Sequence, residues 1–444
     1  MRIRLFLVSL FCWSYSFSQG DMSLADFTNV NQSGYLNPAL VPESEMSLGI
    51  PIASSLSFGG NSTAFAIKDF IYPHPDSGHL VVDPRNVYEA VSTKANFRLH
   101  TDHDWLSIGR KLSERSYVRF AIRERLNFTA SLPYNLLIIS AEGNAQGLLG
   151  EDLNFEGLAI DFSWYREVLF GYAVGLNDKI SLGLNLKYIQ GVSNLGRIRP
   201  DLNFYTEENF FDLQLTGDLS YRSTNMGMIS SDSGISVYSK TPFWANNHGW
   251  GADLGIDVQV NEKFKIGMSL LDFGGISWKK SAKQVSTNFD TLAYSGVDLL
   301  ELFAEGTGST KTDVASFVSD SLTELLKLEE DEVNYKTSLP FSANLFFGYE
   351  MTSNSRVYSC LRTMKQPSFW LTALHVGYVR KFGESFEAGV NYTLGSNGGF
   401  NLGLKSSLEL GPVQIFVLSD NIIGTFLPQN ARYWSTRAGI NIIL

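Results

Sequence analysis

Cysteine is almost absent from this sequence. Its 444 residues hold two, Cys12 and Cys360, and Cys12 falls in an N-terminal leader. No intrachain disulfide framework and no cysteine metal site can be built from what remains. Charge is also sparse, at 18% of residues. The balance is acidic: 35 Lys and Arg against 45 Asp and Glu leave a net charge of −10, which argues against a nucleic-acid partner. Long apolar runs are missing. Past the leader the richest is Leu136–Ile139, far short of the ~20 residues of a spanning helix. Catalytic signatures are missing as well, with no G-x-S-x-G elbow and no H-E-x-x-H. Asp272-Phe273-Gly274 spells a kinase triplet without the loops that accompany one, and reads as a turn at a strand end. His74, His79, His100 and His103 gather in or beside one loop, near Asp102 and Asp104. Their spacing is too loose to specify a metal site, and a solvated loop is the simpler reading. No catalytic residue, cofactor or metal is expected.

Aromatics are plentiful at 13%, and period-two alternation is everywhere. In Gly171–Tyr188 the first arm sets Tyr172, Val174 and Leu176 against Gly171, Ala173 and Gly175. After Asn177-Asp178-Lys179 the second arm sets Leu182, Leu184 and Leu186 against Gly183, Asn185 and Lys187. That is a β-hairpin with one apolar and one small or polar face. Similar runs fall at 46–60, 95–112, 117–130, 155–176, 180–192, 252–260, 264–271, 340–351, 357–364, 370–382, 386–394, 400–410, 413–418 and 433–444. Every second connection is a short turn. The others include 61–94, 131–154, 193–249 and 281–338. Short turns on one side and long loops on the other predict an all-β transmembrane antiparallel β-barrel of about 14 strands, with long extracellular loops. Two further alternating pieces, 211–221 and 235–238, read as a hairpin inside one loop; counted as wall they raise the number to sixteen. The one helical stripe is Val314, Phe317, Val318, Leu322, Leu325 and Leu326, within 297–332.

The N-terminus fits this class. Residues 1–18 carry Arg2 and Arg4, an apolar run from Leu5 to Trp13, and Ser16-Phe17-Ser18. This is the pattern of a cleaved signal peptide. Residues 19–45 form an irregular, plug-like segment whose Asn37-Pro38-Ala39 is a fixed turn. Residues 46–444 form the barrel. If the Leu and Tyr faces contact lipid, the lumen candidates are Arg119, Arg123, Arg125, Lys187, Asp253, Asp257, Glu387 and Arg437. Lys265, Glu350, Lys405 and Glu409 join them. Charges on a lipid face cost roughly 2–4 kcal/mol near the midplane, so their restriction to one face is expected. Glu124 and Arg380 break the rule and must sit near an interface. With both signs inside, the lumen is expected to be crossed by ion pairs.

Several of these stretches together resemble the DUF5723 family of Bacteroidetes outer-membrane proteins. They are Tyr35-Leu36-Asn37-Pro38-Ala39, the run Ile160–Glu167, Leu176–Lys179, Leu418–Gly424 and Asn430-Ala431-Arg432. The resemblance implies an outer-membrane location and a barrel, and no particular activity. The early Asn-Pro-Ala and the fourteen-strand wall are also similar, more distantly, to fatty-acid transporter (FadL-like) and PorV-like barrels. That likeness implies an N-terminal lumen plug turning at Asn37, Pro38 and Ala39. Two readings follow. One is a barrel in outer-membrane lipid that binds or passes a small hydrophobic compound. The other is a non-transporting platform for secretion-system or surface proteins.

Overall fold

A computed structural model describes residues 22–444, apart from 26, 84, 90, 92, 144–147, 209–211, 228–235, 238–244, 288–290, 295–327 and 396–400. The leader and the helical stripe at 314–326 lie outside the described residues. Fourteen antiparallel strands form the wall. They are β1 (Met46–Gly49 and Ser55–Ser62), β2 (Lys94–Ser113), β3 (Ser116–Pro133), β4 (Ala159–Gly175), β5 (Ile180–Thr206), β6 (Asn247–Gln259) and β7 (Phe264–Trp278). There follow β8 (Tyr335–Ser338 and Ser342–Thr352), β9 (Ser355–Lys365), β10 (Trp370–Phe382), β11 (Phe386–Leu394), β12 (Leu402–Leu410), β13 (Val413–Ser419) and β14 (Tyr433–Ile443). Strand β14 pairs with both pieces of β1, at Ser47↔Ile443 and Leu56↔Ala438, and so closes the sheet on itself. Closure leaves no open edge in the wall.

Alternation sets what each strand presents. Outward stand large apolar side chains such as Phe170, Leu186, Leu254 and Phe273, all more than half exposed. Trp250 and Trp370 lie outward in the half nearer the long connections, and Tyr349, Phe382 and Phe386 near the short turns. An apolar belt between two aromatic girdles results. Glu124 faces outward too, but it is not alone. It accepts hydrogen bonds from the indole N–H groups of Trp105 (3.1 Å) and Trp164 (2.5 Å) and from Arg166 (2.8 Å).

Beyond the wall the structure corrects three expectations. First, Ser236–Val237 pairs with Met226–Gly227, just past Leu213–Thr224, but Leu213–Thr224 itself has other neighbours. It pairs with the extension of β5, Leu215 opposite Phe204, and then with Ala282–Thr287 and Thr291–Tyr294. Its apolar residues find their partners there: Leu215 and Leu219 pack with Leu202, Phe204 and Leu153. The strand count stays at fourteen because this sheet projects past the wall. Second, Leu328–Glu332, the tail of the helical stretch, is a strand paired with Ala282–Thr287. Third, a helix that the pattern did not single out forms at Tyr134–Glu142. Pro133, at φ −68, ends β3 and leads into it. Leu137 then packs with Val87, Val91 and Ala95.

Candidate functional site

The barrel interior is filled in layers. Residues 22–40 occupy the end nearer the short turns, among inward side chains from around the wall. The segment contains two 3-10 turns, Met22–Leu24 and Asn31–Tyr35. Its start is fixed at the end of β13, where the Asp420 carboxylate accepts from the backbone N–H of Met22 (3.1 Å) and Ser23 (2.8 Å), and from the Ser23 hydroxyl. Next, Lys405 donates to Ala25 O (2.9 Å) and Gln414 to Asn29 O (2.8 Å). Asn31 reaches Ser107 (2.9 Å), and Gln32 exchanges hydrogen bonds with Asn441. Met22, Leu24, Phe27 and Val30 share an apolar cluster with Cys360, Phe416 and Leu418 of the wall.

The Asn37-Pro38-Ala39 turn sits against β5 and β6. Asn37 Oδ1 accepts from Ala39 N (3.1 Å), an Asx turn that closes the bend. Glycine is required opposite it. A Cβ on Gly183 would lie 2.1 Å from Pro38 C, and one on Gly255 2.3 Å from Asn37 Oδ1. Arg119 donates to Pro38 O (2.8 Å) and to Leu40 O, so a buried wall guanidinium clasps both ends of the turn.

A charged layer lies above this segment. Arg123 pairs with Asp104 (3.0 Å) and Glu167 (2.7 Å). Arg125 pairs with Asp102 (3.2 Å) and Asp272 (3.0 Å). Lys187 pairs with Asp253 (2.7 Å) and Asp272 (2.6 Å), and Arg437 lies 3.5 Å from Asp102. Arg125 on β3 and Asp272 on β7 lie four strands apart around the wall, so the network crosses the lumen. Tyr35 ties it to the layer below. Its hydroxyl donates to Asp104 (2.8 Å), and its ring lies 3.9 Å beneath the Arg123 guanidinium. Each buried charge carries a large desolvation cost, which these multiple short pairs offset.

Bulges aim this layer. Leu271 and Asp272 of β7 together face the single residue Asp253 of β6, and Asp272 takes φ 59. Both residues therefore turn inward, and Asp272 N donates to Asp253 Oδ1 (2.8 Å). The Asp272-Phe273-Gly274 triplet is thus a mid-strand bulge and not a strand-end turn. An extra residue at Trp105 in β2 and another at Val192 in β5 flank the same layer. Extra residues of this kind re-aim side chains.

The remaining sequence candidates are spread along the barrel. Glu387 is buried beside Arg356 (3.1 Å). Asp257 and Lys265 pair at 2.7 Å, half-exposed toward the short turns. Glu350 is exposed at that rim and Glu409 is half-buried, bonded by Gln414. Asp102, Asp104, Glu167, Asp272, Tyr35 and Asp420 were not among the lumen candidates. A usable signal existed for two of them: Asp102 and Asp104 share the strand phase of Arg98. Above the charged layer opens a cavity of about 530 Å³, lined by polar groups that include Asn127, Ser163, Arg222, Tyr335 and Gln366. Among the described residues no three His, Cys, Asp or Glu side chains group as metal ligands.

Against known proteins, residues 38–420 match the model of a family of unknown function, DUF5723. No curated protein matches the chain. Among solved structures it is similar to the toluene transporter TbuX of Ralstonia pickettii, at 8% identity and a TM-score of 0.44, covering 97% of this chain and 98% of that one. It is similar to a FadL homologue of Pseudomonas aeruginosa at 10% identity and a TM-score of 0.43, covering 96% and 94%. The toluene transporter TodX of Pseudomonas putida aligns at 9% identity and a TM-score of 0.41, covering 96% of each chain. The match of the family model over most of its length makes this chain a member of DUF5723.

Proposed function

We propose that the chain is an outer-membrane β-barrel with a shut lumen, acting from its outer side as a partner or docking protein and not as an open pore. The apolar belt with its aromatic girdles supports the membrane location, as does the pattern of residues 1–18. The short turns then face the periplasm and the projecting sheet faces outward. The observation that carries the shut state is the ion-pair layer joining β3 to β7 across the lumen, stacked on residues 22–40. Buried, paired charges of both signs leave neither an apolar path nor a wet one. The test is conductance of the purified protein in planar bilayers, with sugar-driven swelling of proteoliposomes. Neither steps nor swelling are expected; porin-like conductance sinks the proposal.

A second reading has one observation in its favour. Residues 22–30 pack by apolar side chains against Cys360, Phe416 and Leu418. An apolar contact is one that a small hydrophobic compound could replace, with the segment moving aside. Uptake of a labelled long-chain fatty acid by cells carrying or lacking the protein separates the readings. Uptake that follows the protein favours passage, and equal uptake favours the platform. Recovery of secretion-system components in a pull-down favours the platform directly.

A further inference from the structure

On the outer face of β10–β14 the apolar belt is not smooth. A groove of about 490 Å³ runs across these strands, and the register explains it. Arg380, Ala388, Ser406 and Val417 form one row, each directly opposite the next. The neighbouring rows are larger: Phe382, Phe386 and Leu408 on one side, Tyr378, Val390 and Leu404 on the other. Small residues between two ridges make a furrow. It climbs the wall, because Arg380 stands two residues from its short turn and Val417 stands four from its own. At the top it meets the helix Ile422–Phe426. There the Thr425 hydroxyl lies 2.7 Å from that of Thr436 on the outward face of β14, and Phe426 is 76% exposed.

The foot of the furrow carries a charge. Arg380 faces outward, is exposed, and stacks near Phe382 at 5.4 Å. Its neighbour Lys381 is occupied by Glu43 at 2.6 Å. We infer that this groove holds a glycerophospholipid of the periplasmic leaflet, with its phosphate on Arg380 and one acyl chain along Ala388 and Ser406 beneath the helix. Length agrees with the first part of an acyl chain: three strand spacings of ~4.8 Å make the row about 14 Å long. Charge agrees too, since a guanidinium at a membrane interface matches phosphate oxygens in geometry and sign. The position of Arg380 beside a short turn selects the periplasmic leaflet over the outer one.

The inference rests on the membrane orientation proposed above, which cell fractionation and surface labelling of the projecting sheet test separately. Its own test uses the full chain in nanodiscs of phosphatidylethanolamine and phosphatidylglycerol, followed by detergent extraction and native mass spectrometry. One phospholipid is expected to survive on the wild-type protein. Retention is expected to fall at least fivefold in Arg380→Gln, which removes the phosphate contact, and in Ser406→Leu, which fills the furrow. Heat-modifiable gel mobility identifies folded variants. Phe426→Ala, at the far end, is expected to weaken retention less than Arg380→Gln. Absence of a retained phospholipid on the wild type overturns the inference. So does wild-type retention by folded Arg380→Gln and Ser406→Leu, or retention of lipopolysaccharide alone.

Discussion

Asp272 joins two of the buried cations in the lumen, and its backbone is as unusual as its side chain. Two cations, Lys187 and Arg125, converge on it from β5 and β3. Its φ of 59 is tolerated by Asp and Asn better than by other side chains. Asp272→Asn therefore keeps the bulge and removes only the charge. Breaking a buried pair in this way is expected to cost about 3–5 kcal/mol, read as a lower urea midpoint for loss of the folded gel band. Asp272→Ala should cost more, since the bulge loses its tolerant residue as well. Asp83, in the outer connection, shows the opposite case. Hydrogen bonds from the Arg85 side chain and then its backbone, at 2.7–3.0 Å, hold its carboxyl well below the usual carboxylate range. A depressed folded pKa means the contact is at full strength above the ordinary value of about 4. It is lost only as pH falls through the lower, folded value. Protease resistance of the segment around Tyr72 and Asp83 should therefore stay flat from neutral pH to about 5 and fade in strong acid. At this scale the sequence was partly legible. Period two put Arg123, Arg125 and Lys187 on one face, but it could not pair them. Asp272 was out of reach because a bulge resets the phase that alternation relies on.

Elements were more legible than contacts. All fourteen strands could be read from alternation, because a wall strand must keep one apolar face over its whole length. Helix Tyr134–Glu142 could not, being too short for a stripe. The partner of Leu213–Thr224 was missed because alternation says nothing about which neighbour lies alongside. The fit between the Asn37–Ala39 turn and the wall yields a prediction for the element as a whole. Gly183→Val places a side chain where Pro38 now lies. The wall should still form, since Gly183 pairs by backbone in β5. The turn should be displaced, and residues 22–45 should become sensitive to protease added from the periplasmic side. Unchanged protection would mean that the segment is held by Asp420 and the polar contacts of residues 23–32 alone.

For the molecule as a whole, the proposed shut lumen has two stacked layers, and each should suffice alone to close it. Removing residues 22–40 leaves the ion pairs of Arg123, Arg125 and Lys187 with their carboxylates. That deletion is expected to give little conductance in planar bilayers. Asp272→Asn alone should give little as well. Combined, they should open a measurable channel, and a large current from either change alone would show that one layer does all the sealing. The apolar contact beneath them has a further use. Cys360 is fully buried among Met22, Leu24 and Phe27. A thiol so placed can meet a maleimide only while the segment is withdrawn, so its alkylation rate in intact membranes times the opening. Cys360→Ser abolishes the signal and serves as the blank. The protein thus carries its own stopwatch, and a compound or partner that loosens the seal would be recognised by how fast it makes that watch run.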